Sequence, residues 1–111
     1  MIKVLVVDPH PVFRLGLETL IKRTADVHLA GSLKSGVEVF EFVRRNPVDV
    51  IVLEVDLPDL NGITTLRAIK KEHKEITMLM LSNQPEEIYA VSTIKAGASG
   101  YLHKTVEGED I

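Results

Sequence analysis

The chain has no cysteine and no tryptophan, and only two tyrosines and three phenylalanines among its 111 residues. Without cysteine there is no disulfide framework and no thiolate metal site. Excess positive charge is also missing: 13 Lys and Arg stand against 16 Asp and Glu, a net charge of −3, with the signs interspersed. That excludes the electrostatic footprint of a nucleic-acid binder or of a protein held on an anionic membrane. Long apolar runs are lacking too. None approaches the ~20 residues of a bilayer span, and the N-terminal run ends in Asp8-Pro9-His10-Pro11 rather than a small-residue cleavage site. The expectation is a cytoplasmic protein that reaches neither a membrane nor, by itself, DNA.

What the chain does have is 45% hydrophobic residues, enough for one domain of this size to bury about two-thirds of its unfolded surface. The organising stretch is Val48-Asp49-Val50-Ile51-Val52-Leu53-Glu54-Val55-Asp56-Leu57-Pro58. An apolar run that ends in acid, turn and proline reads as a buried central strand delivering charge to its C-terminal end. Lys3 to Val7 ends likewise in Asp8-Pro9, and Ile76 to Leu81 ends in Ser82-Asn83. In open α/β sheets that rim is where ligands bind.

Strand and helix alternate along the chain. Phe13, Leu17, Leu20 and Ile21 make the inward stripe of a first helix, with Arg14, Glu18, Lys22 and Arg23 outward. Val27 to Gly31 reads as an edge strand. Ser35 and Glu38 have the spacing of a capping box for a second helix, which Asn46-Pro47 stops. Asn61-Gly62 turns into a third helix with Ile63, Leu66 and Ile69 inward and Arg67, Lys70, Lys71 and Lys74 outward. Pro85-Glu86-Glu87 suits the first turn of a fourth, which runs to a C-terminal cap at Gly97. A short fifth strand, Ser99 to His103, leads to Lys104-Thr105, and the acid-rich remainder to Ile111 resembles the first turn of a helix that does not follow.

Asp8, Glu54, Ser82 and Lys104 each sit at, or just beyond, the end of a different strand. Singly, each reads as a cap or turn former. As a set at corresponding ends they read as a site. His10 and His103 flank it without a ligand-spaced partner and are read as non-metal residues, His73 as a solvated helix end, and Met78 and Met80 as core.

With the segments Val4 to Pro11, Val52 to Gly62 and Ala96 to Lys104 in view, the whole chain resembles the receiver domains of two-component response regulators. His10-Pro11, Arg14, Gly16 and the run Gly97-Ala98-Ser99-Gly100-Tyr101-Leu102 resemble the NarL/LuxR-type branch. The resemblance implies an α/β, flavodoxin-like (CheY-like), doubly wound parallel sheet of five strands in the order 2-1-3-4-5, here with the fifth helix truncated. It implies a receiver over residues 1–111, with a DNA-binding helix-turn-helix effector in the parent protein. It also implies a phosphoacceptor aspartate after strand 3 and two adjacent acids after strand 1, which together hold Mg²⁺. Ser82 matches the switch hydroxyl, Tyr101 the switch aromatic and Lys104 the lysine that binds the phosphoryl oxygen.

Two positions depart. Pro9 stands where the second acid belongs, and Glu54 stands where the phosphoacceptor aspartate belongs. Mg²⁺ tolerates little distortion, so binding through Asp8, Glu54 and the backbone of Asp56 is expected to be weak or absent. In-line transfer is equally sensitive to position. The chain is therefore expected to be an atypical receiver and not an enzyme. Glu54 either reaches Lys104 and imitates the phosphorylated state, which is the favoured expectation, or is a relic. Asn83, where the family commonly has a smaller residue, is a second possible block. A conventional switch with a weakened metal site stays open as an alternative. So does a haloacid-dehalogenase-type phosphatase, which the spacing Glu54-Val55-Asp56 resembles although its cap and later acidic motif are lacking. The expected partners are a second copy of the chain and a histidine kinase or other regulatory protein, with DNA reached only through the effector domain. Ending at Ile111 is expected to bare apolar side chains of strands 4 and 5 and to favour self-association.

Overall fold

The computed structural model describes residues 1–83, 91 and 93–104. Strands β1 (Ile2–Val7), β2 (Val27–Leu33), β3 (Val50–Glu54), β4 (Thr77–Ser82) and β5 (Gly100–His103) form one sheet. Their order is β2-β1-β3-β4-β5, and every neighbouring pair is parallel. Helices α1 (Pro11–Lys22), α2 (Gly36–Arg45) and α3 (Gly62–Glu72) connect the first four strands. This is the α/β class and strand order that the sequence resemblance implies.

Alternation along each strand decides which helix it meets, because successive side chains leave opposite faces. Leu5 and Val7, Ile51 and Leu53, and Met78 and Met80 join Val39 and Val43 of α2 and Leu66 and Ile69 of α3 in one core. Val4 and Val6, Val52 and Leu81 join Leu17 of α1 on the other face, where Phe13, Ile21, Leu79 and Leu102 pack as half-buried neighbours. Each fully buried aliphatic side chain contributes about 1.5–3 kcal/mol. β1 and β3, covered on both faces, therefore hold the ends of their strands rigidly.

The turn from β3 into α3 is set by close approach. A Cβ on Gly62 would strike the Glu54 carbonyl oxygen and come within 2.6 Å of Val55 Cα, so only glycine lets the Gly62 N–H reach Val55 O at 2.7 Å. Asn61 caps the helix by accepting from Ile63 N at 2.8 Å. Of the fourth expected helix, residues 84–90 and 92 lie outside the described residues. Residues 93–95 are helical, and Gly97 ends them at φ 116°, a left-handed conformation that favours glycine. The acid-rich segment 106–111, read as the first turn of a truncated fifth helix, also lies outside the described residues.

Three local expectations are corrected. The Ser35 hydroxyl donates to Glu38 Oε1 at 2.8 Å and caps no backbone group of α2. The open N–H groups of Gly36 and Val37 go instead to the two carboxylate oxygens of Asp59, at 2.9 and 3.0 Å. A full negative charge from the neighbouring loop satisfies two donors at the positive end of the helix, which a hydroxyl cannot match. These bonds, from Gly36 first and then Val37, hold the Asp59 carboxyl below its ordinary value of 3.8. On α1, Leu20 is exposed, whereas Arg14 is half-buried and turns back to the sheet. On α3, Lys70 is no outward charge: its ammonium donates to the carbonyls of Lys74 and Ile76 at 3.0 and 2.8 Å.

Candidate functional site

The ends of β1, β3 and β5 converge. Asp8 continues β1 by donating its N–H to Leu33 O at 3.0 Å, and its side chain is fully buried. Its Oδ1 accepts from His10 N at 2.8 Å, an Asx turn of the kind that this residue type forms. Arg14 Nη1 donates to the Asp8 carbonyl at 2.8 Å, which pins the same turn from α1. Pro11 then starts the helix where its missing N–H is not needed.

Glu54 closes β3 and is 1% exposed. One of its oxygens, Oε2, accepts from Asp56 N at 3.0 Å, which turns the other, Oε1, toward the middle of the rim. Asp56 itself is exposed. Lys104 follows β5, and its backbone N–H donates to Ser82 O at 2.9 Å. Its side chain, 5% exposed, runs back over the site to place Nζ 2.5 Å from Glu54 Oε1 and 2.8 Å from Asp8 Oδ2.

Two further groups hold the ammonium. His10 Nδ1 is 2.7 Å from Nζ, and the Phe13 ring centroid is 4.7 Å away, within cation–π range. The two carboxylates pair with the ammonium as charges, and His10 Nδ1, which also lies 3.0 Å from Asp8 Oδ1, donates or accepts according to its tautomer. Burying charge in this way costs solvation, which only such close pairing offsets.

The structure therefore brings together Asp8, Glu54 and Lys104 of the sequence-predicted set. Ser82 is fully buried at the end of β4, in register with His103. Tyr101 is also buried and packs in the core that contains Met78 and Met80. Asn83 is exposed, and its carbonyl accepts from His103 Nε2 at 2.8 Å. His10 corrects the expectation that it lacks a ligand-spaced partner: its Nδ1 lies 3.0 Å from Asp8 Oδ1 and 3.9 Å from Glu54 Oε1. Phe13, Arg14 and Asp59 were not legible as site or rim residues. His73 is a partly exposed helix cap, 3.7 Å from Glu75.

The magnesium ion implied by the family resemblance takes oxygen ligands in near-octahedral geometry. Here Pro9 supplies no side-chain oxygen, the third converging donor is the nitrogen of His10, and the ammonium of Lys104 already stands between the carboxylates. The residues do not fit that ion.

Comparison with known proteins agrees with the architecture. The family model for the response regulator receiver domain matches residues 4–111. The Fimbriae Z protein of Escherichia coli K12 is 32% identical over 108 residues, which cover 97% of this chain and 51% of that protein. The nitrate/nitrite response regulator protein NarL of the same strain is 32% identical over 110 residues, covering 97% of this chain and 50% of NarL. The chain thus spans about half the length of these curated relatives. Among solved structures, a two-component response regulator of the LuxR family from Aurantimonas sp. SI85-9A1 superposes with a TM-score of 0.91 at 26% identity. That match covers 97% of this chain and 77% of the other. On the family match over nearly its whole length and on its five-stranded sheet, the chain belongs to the response regulator receiver domains.

Proposed function

We propose that the chain is the receiver of a transcriptional response regulator and that it works without Mg²⁺-dependent phosphoryl transfer, Glu54 engaging Lys104 in place of a phosphorylated aspartate. The observation that carries this reading is the 2.5 Å contact between Lys104 Nζ and Glu54 Oε1. The buried Tyr101 and Ser82 are in keeping with it. A carboxylate brings one charge where a phosphoryl group brings about −1.5 to −2 and three acceptor oxygens, so the imitation is partial. In this reading the domain is not an enzyme. It acts in the cytoplasm through a second copy, a kinase or another regulatory protein, and meets DNA only through an effector domain of the whole protein.

The test is labelling by acetyl phosphate in Mg²⁺. The chain is expected to stay unlabelled. The double variant Pro9→Asp/Glu54→Asp is expected to gain label, whereas neither single change suffices, because ligand and acceptor act as a unit. Labelling of the unaltered chain at Glu54 or Asp56 overturns the reading in favour of a conventional switch with a weakened metal site.

A further inference from the structure

The turn from β3 into α3 carries a reactive dipeptide. Of the three asparagines in the chain, Asn46 precedes a proline, which has no N–H, and Asn83 precedes a glutamine, whose side chain crowds the backbone nitrogen. Asn61 precedes glycine, which leaves that nitrogen unhindered. In such a pair the glycine nitrogen, once it has lost its proton, attacks the side-chain carbonyl carbon. An N–Cγ bond forms, the Cγ–Nδ2 bond breaks, and ammonia leaves with a proton. Water then opens the five-membered imide to aspartate or to isoaspartate, in which the main chain runs through Cβ.

The fold withholds the nitrogen. Gly62 N–H donates to Val55 O at 2.7 Å, and Gly62 is buried and pressed so closely on the end of β3 that a Cβ there would lie 2.6 Å from Val55 Cα. An amide nitrogen held in this way neither sheds its proton to solvent nor turns toward Asn61 Cγ. The carbon is not the obstacle: Asn61 Oδ1 accepts from Ile63 N at 2.8 Å, which polarises the carbonyl toward attack. Two further ties hold the turn shut. Asn61 O accepts from Thr65 N at 3.0 Å, and Asp59 fastens the loop to the Gly36 and Val37 N–H groups of α2.

We propose that Asn61-Gly62 is a modification site latched by the β3–α3 turn: it deamidates through the imide only when the turn opens, and isoaspartate, once formed, keeps the turn from closing. The close approach at Gly62 demands glycine and leaves no room for the extra main-chain methylene of isoaspartate. Aspartate, by contrast, caps a helix as well as asparagine does and lets the turn re-form. The same segment supplies the Asp56 N–H that orients Glu54, so isoaspartate at this position slackens the rim from outside it.

The experiment is incubation of the chain at mildly alkaline pH, folded or unfolded in guanidinium chloride, followed by peptide mapping with isoaspartate distinguished from aspartate. The unfolded chain is expected to convert at Asn61 ahead of Asn46 and Asn83. The folded chain is expected to convert Asn61 at least about tenfold more slowly, the factor for leaving one buried donor without its partner. Asp59→Ala, which frees the loop from α2, is expected to speed conversion in the folded state by at least about twofold, the low end of what a helix cap contributes. Ser35→Ala, which removes only the exposed bond to Glu38, is expected to leave the rate unchanged. After refolding, the isoaspartate form is expected to melt below the parent, and Asn61→Asp to melt with it. Equal rates in folded and unfolded chain, first conversion at Asn46 or Asn83, no acceleration in a folded Asp59→Ala, or acceleration in Ser35→Ala each overturns the proposal. So does an isoaspartate form that melts with the parent, or an Asn61→Asp that melts as low as the isoaspartate form. If Asp59→Ala does not fold by circular dichroism, the folded and unfolded parent decide.

Discussion

Asp59 caps the helix that begins at Gly36, its Oδ1 accepting the Gly36 N–H at 2.9 Å across 23 residues of sequence. The loop that follows the Glu54 strand is thereby tied to α2. Asp59→Ala is expected to lower the melting temperature by a few degrees and Asp59→Asn by less, because asparagine keeps one acceptor. The Asp59 carboxyl is held below 3.8 in the folded chain. Its contribution is therefore fully present above that ordinary value and is lost as pH falls through the lower, folded one. Melting curves taken from neutral into acid should show the difference between the parent and Asp59→Ala shrinking over that range.

Lys104→Met leaves two buried carboxylates facing each other without a cation. Breaking a buried pair by removing one partner costs about 3–5 kcal/mol. Urea unfolding at neutral pH should show a loss of that size. A loss under about 1 kcal/mol, the range of exposed pairs, would show that the ammonium is solvated rather than enclosed.

Phe13 is expected to couple to Lys104 through its ring face. In a double-mutant cycle of Phe13→Leu with Lys104→Met, the coupling should be about 0.5–2 kcal/mol. Phe13→Tyr should preserve it.

Gly62→Ala drives a Cβ against the backbone of Glu54 and Val55. Backbone has nowhere to rotate, so a destabilisation of about 1–3 kcal/mol is expected from denaturant unfolding. Alanine at Gly16, where a Cβ meets nothing within 4 Å, should be neutral or slightly stabilising through helix propensity.

The strands and the carboxylate rim were legible because each buried strand is an apolar run broken by a charged or polar residue at its C-terminal end. Asp8 and Glu54 announce themselves in this way, and Lys104 does so one residue past β5. Arg14 and Lys70 depart from the outward face that periodicity gives them, because periodicity assigns a face to the Cβ and says nothing of where a long side chain brings its head. In the sequence His10 stands as a lone histidine, since its direction depends on the turn that Asp8 makes with its backbone. Asp59 had no local signal at all: its partners lie in the preceding helix, and only the packing of α2 beside the β3–α3 loop brings them together.

β5 has four residues and pairs with β4 alone among the described strands. Few ladder bonds secure so short an edge strand, yet the side chain of the residue that follows it is anchored at the far side of β4, on carboxylates belonging to β1 and β3. Lys104 is thus a brace thrown across the sheet. Cutting it by mutation should loosen the margin of the molecule before the centre, so that β5 amides gain deuterium early while those of Leu5 and Ile51 keep their protons.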